Sequence, residues 1–260
     1  MKKNSLFLLI LIIAVGILIT YCFLSNKFSN GIYKNGFFLF SSPEEPNFGA
    51  NFIFKKGETI NYDVKLRGFK IGTAKMSYKG IVAKNGLTGV LVSFLADVAN
   101  FKDLENIYID LETFNPLFVV RKISLIIRKE TIEEDYFSKR NSVVITKNKK
   151  FQNARTITSD APFQHIISSI YYYRTLEDFE VGNELVLNLP LYKLKLQVKR
   201  IEEVEVPAGK FKAFYIESIP NKFKFWFSAD EKRLPLKVEG VVSLAPAVMM
   251  MTKYETEKED

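Results

Sequence analysis

The chain has 260 residues, of which 47% are hydrophobic and 25% charged, with a formal net charge of +8. This is ordinary globular composition, enough for one large domain or two small ones, and a single cysteine, Cys22, excludes an intrachain disulfide. No strong basic stripe is interleaved with aromatics, which argues against nucleic acid as a partner.

The 23 Phe and 12 Tyr residues lean the composition towards β-structure, because aromatic side chains suit pleated, half-buried surfaces. In chain order, residues 1–27 read as a membrane anchor. Leu6 to Leu24 carries no charge. As a helix at 1.5 Å per residue it is about 28 Å long, close to the ~30 Å hydrocarbon core of a bilayer. Lys2 and Lys3 ahead of it hold that end in the cytoplasm. Cleavage as a signal peptide competes with this reading. So does lipidation at Cys22, although Tyr21 stands where a lipobox needs a small residue. All three readings put the bulk of the chain outside the cytoplasm, and the uncleaved anchor makes it a single-pass inner-membrane protein with a periplasmic domain. Residues 28–51, with Ser42-Pro43-Glu44-Glu45-Pro46, read as a tether broken by the apolar patch Phe37-Phe38-Leu39-Phe40.

From 52 to 254 strand follows strand. Ile60, Tyr62, Val64 and Leu66 alternate with Asn61, Asp63 and Lys65, and after Arg67-Gly68-Phe69-Lys70 the series resumes at Ala74, Met76 and Tyr78. That is the pattern of a hairpin. Gly72 marks a bend, or a point where a side chain would crowd a neighbour. Further strands are expected over residues 86–96, 105–112, 117–127, 131–139 and 142–147, the last two turning at Lys139-Arg140-Asn141. Asp160-Ala161-Pro162-Phe163 then offers an N-cap and an early proline. Ile166, Ile167, Ile170, Tyr171 and Tyr173 recur at helical spacing as far as Arg174, a helix of roughly three turns. Strands return over 182–189, 192–199, 211–218, 222–228, 236–244 and 249–254, with a turn at Val206-Pro207-Ala208-Gly209-Lys210 and a charged tail over 255–260. The fold class is mainly β: a curved antiparallel sheet or β-barrel-like domain with one short helix, preceded by one N-terminal transmembrane helix.

Several segments resemble, in order, the DUF3108 family of bacterial exported proteins. Gly57-Glu58, Tyr62-Asp63-Val64, Gly68 and Ile71-Gly72-Thr73-Ala74 resemble the opening motif. Tyr171-Tyr172-Tyr173-Arg174 with Gly182, Val206 to Phe211, and Phe225 to Asp230 with Arg233-Leu234-Pro235 resemble the later ones. The resemblance spans residues 52–254 and implies an exported, mostly β envelope domain with no established activity.

Reactive chemistry finds little purchase. His165 is the only histidine, and a lone histidine at a helix start reads as a surface or capping residue. Neither a Gly-x-Ser-x-Gly elbow nor a His-Glu-x-x-His motif occurs, so no catalytic residue, metal site or cofactor is expected. Glu133-Glu134-Asp135 and Glu202-Glu203 read as solvated, since neighbours on a strand face opposite sides. Around Trp226, Ser228, Asp230 and Arg233, Asp230 reads as the cap of a turn, or Trp226 and Arg233 lie at the mouth of a cavity. Tyr192, Leu194, Leu196, Phe223, Phe225 and Phe227 share apolar faces that either fill a core or line a pocket.

The leading functional expectation is a non-enzymatic envelope domain that binds a hydrophobic or amphiphilic molecule. Its binding residues are Tyr192, Leu194, Leu196, Phe223, Phe225 and Phe227, with Trp226 and Arg233. The partners are then the inner membrane, through Leu6 to Leu24, and a lipid or amphiphile. An assembly module for another envelope protein is the second expectation, and a carboxylate-based glycan hydrolase the third.

Overall fold

Alternating apolar and polar residues become strands almost everywhere they occur. The structure, a computed structural model, describes residues 54–84, 86–148, 154–176, 179–242 and 245–257. The anchor and tether expected over 1–51 lie outside the described residues. Among the described residues, no helix is long and apolar enough to cross a membrane.

The first half contains β1 (Thr59–Leu66), β2 (Phe69–Lys84), β3 (Leu87–Val98), β4 (Phe101–Ile109), β5 (Pro116–Leu125), β6 (Lys129–Phe137), β7 (Ser142–Lys147) and β8 (Ala154–Thr158). After α1 (Ile166–Thr175) come β9 (Glu184–Asn188), β10 (Lys193–Val206), β11 (Gly209–Ile219), β12 (Phe223–Ser228), β13 (Pro235–Val242) and β14 (Ala245–Glu255). All belong to one 14-stranded sheet, ordered β8-β7-β6-β5-β4-β3-β2-β1-β14-β13-β12-β11-β10-β9, and every ladder is antiparallel. The expected mainly β class with one short helix is the observed one, and of the two expected forms it is the curved sheet: among the described residues β8 and β9 are free edges, so the sheet curves without closing. Its curvature brings the β10–β11 turn onto β14, where Ala208 N–H donates to the Met251 carbonyl at 3.0 Å. Near the open seam, the segment after β8 reaches the end of β9: Gln164 N–H donates to the Asn188 carbonyl at 2.9 Å, and Asn188 Nδ2 to Ser159 Oγ at 2.9 Å.

The β1–β2 hairpin turns on two residues. Arg67 and Gly68 have φ of 48° and 85°, the left-handed pair whose twist matches that of the flanking strands. Gly72 is the crowded position. A Cβ there would sit 2.2 Å from the Asp97 carbonyl oxygen and 2.6 Å from the Val98 Cα, both backbone atoms of β3. Gly72→Ala forces the β2–β3 ladder apart and is expected to lower stability by about 2–3 kcal/mol, the upper part of the overpacking range. In urea titration the midpoint should fall with unchanged slope; an unaltered midpoint would mean that the ladder yields without loss.

α1 carries the chain from one edge of the sheet to the other, and it crosses inside the curve. Ile167 to Tyr171, Tyr173 and Arg174 are all buried. A helix covered nearly all round is an interior element, so α1 occupies the concave face of the sheet. The N-cap differs from expectation. His165, not Asp160, caps the helix, its Nδ1 accepting from Ile167 N–H at 3.3 Å. Asp160 instead pairs with Lys193 at 2.5 Å. His165 caps as expected but is 7% exposed, a buried residue and not a surface one.

Candidate functional site

Both ends of α1 are fastened by buried charge. At the C-terminal end Arg174 meets Glu58, just ahead of β1: Nη1 donates to Oε1 at 2.6 Å and Nη2 to Oε2 at 2.9 Å, with both side chains wholly buried. Burial disfavours the guanidinium, but the Glu58 carboxylate outweighs it and holds the Arg174 pKa above its usual value. Arg174 Nε also donates to the Lys232 carbonyl at 3.0 Å, and Tyr254 Oη to Glu58 Oε2 at 3.2 Å. The guanidinium lies over Phe54, 4.8 Å from the ring centre. Nearby, Tyr62 Oη donates to the Pro235 carbonyl at 2.9 Å. Segments far apart in sequence thus converge on one ion pair.

At the N-terminal end the concave faces of β4, β5 and β6 present Asp103, Glu105, Arg121, Glu134 and Tyr136, all buried. Arg121 Nε donates to Asp103 Oδ1 and Oδ2, each at 2.9 Å, and stands 3.1 Å from Glu105 Oε1. Because His165 Nδ1 accepts the capping bond, the proton of a neutral imidazole sits on Nε2, which faces Glu105 Oε2 at 3.4 Å. Burial pushes the Asp103 carboxyl up to about 6, despite its hydrogen bond from Arg121, with Glu105 adding repulsion. Burial also opposes the charge on Glu105, yet Arg121 and then His165 hold that group below its ordinary value. Glu134 is held above its ordinary value by burial. Tyr136 Oη donates to Glu134 Oε2 at 2.5 Å, while Glu134 Oε1 has no hydrogen-bond partner among the described residues. Among the described residues no three His, Cys, Asp or Glu side chains are grouped to hold a metal ion.

The sequence reading missed this cluster and, in Glu134, expected a solvated residue that is 1% exposed. The signal was present: Asp103 and Glu105 keep phase with Phe101, Ile107 and Ile109, as Glu134 does with Ile132 and Tyr136, on buried strand faces.

The expected binding residues divide into three groups. Phe225 and Phe227 stack at 6.2 Å between ring centres, and Phe227 stacks on Tyr173 of α1 at 5.8 Å, inside the curve. Phe223 lies beside Phe225 at 6.1 Å. Leu194 and Leu196 are buried and pair across the ladder with Leu187 and Leu185 of β9. Tyr192 lies next to them in sequence, its buried hydroxyl without a partner among the described residues and Lys222 Nζ 4.7 Å from its ring centre. Trp226, by strand alternation, faces the other side from Phe225. Its Nε1 donates to Glu202 Oε1 at 2.7 Å, and Tyr215 and Lys237 flank the ring. Arg233 lies over Phe179 at 5.3 Å. Asp230 caps its turn as expected, Oδ1 accepting from Lys232 N–H at 3.1 Å, Arg233 N–H at 3.2 Å and Ser228 Oγ at 2.6 Å.

A cleft of about 200 Å³ opens beside α1. Thr113, Phe114 and Asn115 of the β4–β5 turn form one side. Gln164, Ser169 and Tyr172 form the second, and Leu185, Val186 and Leu187 of β9 the third. Leu194 and Leu196 lie beside the β9 wall, one strand further into the sheet, through their pairing.

The sequence model of the family described as "Protein of unknown function (DUF3108)" matches residues 61–252. Arg174, Pro235 and the cleft fall inside that span, and Glu58 just ahead of it. No curated protein matches the chain. Among solved structures, the beta-barrel-like protein of domain of unknown function DUF1849 from Brucella abortus superposes with a TM-score of 0.51 at 10% identity, covering 78% of this chain and 98% of that one. That likeness concerns the fold alone. A protein from Bacteroides fragilis described as exported, with a YmcC-like fold, gives 0.34 at 8% identity over 78% of this chain and 97% of its own.

Proposed function

The chain belongs to the DUF3108 family, and we propose that it serves the cell envelope without catalysing a reaction, by holding a hydrophobic or amphiphilic molecule at the seam of its curved sheet. The cleft carries this reading. Phe114, Tyr172, Leu185 and Leu187 give it apolar walls, and Thr113, Asn115, Gln164 and Ser169 give it polar tips, matching the two ends of an amphiphile. Phe114 supports it further. Its φ of 55° is one that bulky residues rarely adopt and that costs of order 1–3 kcal/mol, and it holds the ring 6.1 Å from Tyr172. At about 200 Å³ the space is smaller than the ~300–1,000 Å³ of typical ligand pockets. Part of one acyl chain with a small polar group fits it better than a whole lipid. The anchor read at residues 6–24 sets the domain at the periplasmic face of the inner membrane, beside a source of such molecules.

Full-length protein in lipid nanodiscs, irradiated with a diazirine-bearing dodecanoic acid, should be labelled on residues 112–116 and 179–190. Leu185→Glu puts a carboxylate against the acyl chain and should cut that labelling by about tenfold or more, since an unpaired charge in an apolar contact costs several kcal/mol. Labelling spread evenly over the domain, or untouched by the substitution, would remove the cleft as the site.

A further inference from the structure

We infer that the β1–β2 and β5–β6 hairpin tips form a membrane-contacting rim that rests on anionic lipid. Phe69, Ile126 and Ile127 are 77%, 76% and 97% exposed, more than any other large hydrophobic residue among the described residues. All three sit at or beside hairpin turns on the same end of the sheet. Ile126 and Ile127 are the two turn residues themselves, because Leu125 N–H donates to the Arg128 carbonyl at 2.8 Å and closes the hairpin around them. Two-residue turns favour Gly, Asn and Asp, so isoleucine there helps neither the turn nor the core. Phe69 begins β2 directly after Arg67-Gly68.

The intervening β3–β4 turn is level with the β5–β6 tip, since Phe101 pairs with Leu125, and stands behind the β1–β2 tip. Ala99 N–H bonds the Ile71 carbonyl at 3.0 Å, which leaves the Phe69 tip projecting beyond it. Along the curved sheet the two hairpins are about 19 Å apart, four strand spacings at ~4.8 Å each, with no exposed large hydrophobic residue between them among the described residues. Separated points of this kind suit a fluid surface better than the continuous apolar centre of a protein interface.

Charge sets the kind of surface. Lys65, Arg67, Lys70, Lys102, Arg128 and Lys129 flank the three turns, against Asp63, Asp97 and Glu130. Lys70, Lys102 and Arg128 remain 54%, 56% and 61% exposed even while paired with Asp63, Asp97 and Glu130. Apolar tips ringed by cations match the interface of a bilayer rich in anionic headgroups. The surface is separate from the cleft, and it rests on the anchor reading only in taking the occupant to be the membrane that holds residues 6–24.

The test uses full-length protein carrying Cys22→Ser and Ile127→Cys, the latter labelled with an environment-sensitive fluorophore, in vesicles of phosphatidylcholine with or without phosphatidylglycerol. With phosphatidylglycerol the label should shift to the blue and be quenched by brominated lipid; in phosphatidylcholine alone, or in high salt, it should report water. Replacing Arg128 and Lys129 by Ser should weaken the contact about fivefold for each residue. Phe69→Ser should weaken it without altering flotation of the protein with the vesicles. A label that stays in water at every composition, or inserts equally without anionic lipid, overturns the inference. Failure of the protein to float with vesicles overturns the anchor reading instead, and the label's response to added phosphatidylglycerol vesicles still decides the rim.

Discussion

Replacing Arg174 with methionine is expected to lower stability by about 3–5 kcal/mol, the range found when one partner of a buried ion pair is removed. The reason is Glu58. Its carboxylate is wholly buried, takes two hydrogen bonds from Arg174 and, among the described residues, otherwise accepts only the longer bond from Tyr254. Without the guanidinium it must be buried unpaired or take up a proton. The double replacement Glu58→Gln with Arg174→Met should recover a large part of the loss, since a neutral pair avoids stranding a charge. Urea unfolding of the four proteins in the cycle gives the coupling directly. Additive losses would show that the two side chains act independently and that Arg174 matters through its packing on Phe54.

Arg121→Met should be as costly, because three buried carboxylates lose their shared cation, and here pH separates the members. The Asp103 carboxyl, pushed up to about 6, binds a proton more tightly in the folded chain than in the unfolded one. Its ionisation therefore weighs against the fold at neutral pH, and that burden lifts as pH falls through 6 towards 4. The size is on the order of 2–3 kcal/mol, since each tenfold gain in proton affinity on folding is worth about 1.4 kcal/mol. Glu134, also raised, acts in the same direction. Glu105 acts oppositely: its lowered value gives stability that is present at neutral pH and is lost only as pH falls below the ordinary carboxylate range. The urea midpoint should thus hold or rise between pH 7 and pH 5 and fall at lower pH. Asp103→Asn should remove the rise, whereas Glu105→Gln should lower the midpoint at pH 7. A wild-type midpoint that declines steadily from pH 7, unchanged in slope by Asp103→Asn, would mean that Asp103 is ionised throughout.

Strand periodicity made much of this architecture legible. Ser142 to Lys147 coincides with β7, and the glycine turn at Gly68 and the crowding at Gly72 follow from local chemistry. The strand expected to end at Lys199 continues to Val206, because a bulge at that point breaks the ladder register without ending the strand. β8, a five-residue edge strand, has too short a pattern to stand out. The helix was legible but its destination was not. Its spacing says that Ile167, Ile170 and Tyr171 are covered; only the passage from one edge of the sheet to the other puts Tyr173 on Phe227. The candidate site was hidden for a related reason. Glu58 and Arg174 are 116 residues apart, and no local pattern announces which distant cation a buried carboxylate will meet.

The adjacency of β1 and β14 has a consequence for how the molecule is made. Asn61 and Glu255, bonded through their side chains at 3.0 Å, are separated by 194 residues, so β1, the first of these fourteen strands to emerge from a ribosome or export channel, finds one of its two neighbours only when synthesis is all but finished. Until then the edge of β1 stands open, a template for mispairing. The hairpins β1–β2, β3–β4 and β5–β6 can assemble progressively on the growing chain, but the central ladder is zipped last. A premature stop anywhere before Ala245 therefore leaves more than a shortened protein. It leaves a sheet parted down its middle, with an unsatisfied row of backbone groups that a quality-control protease or a second nascent chain can take up.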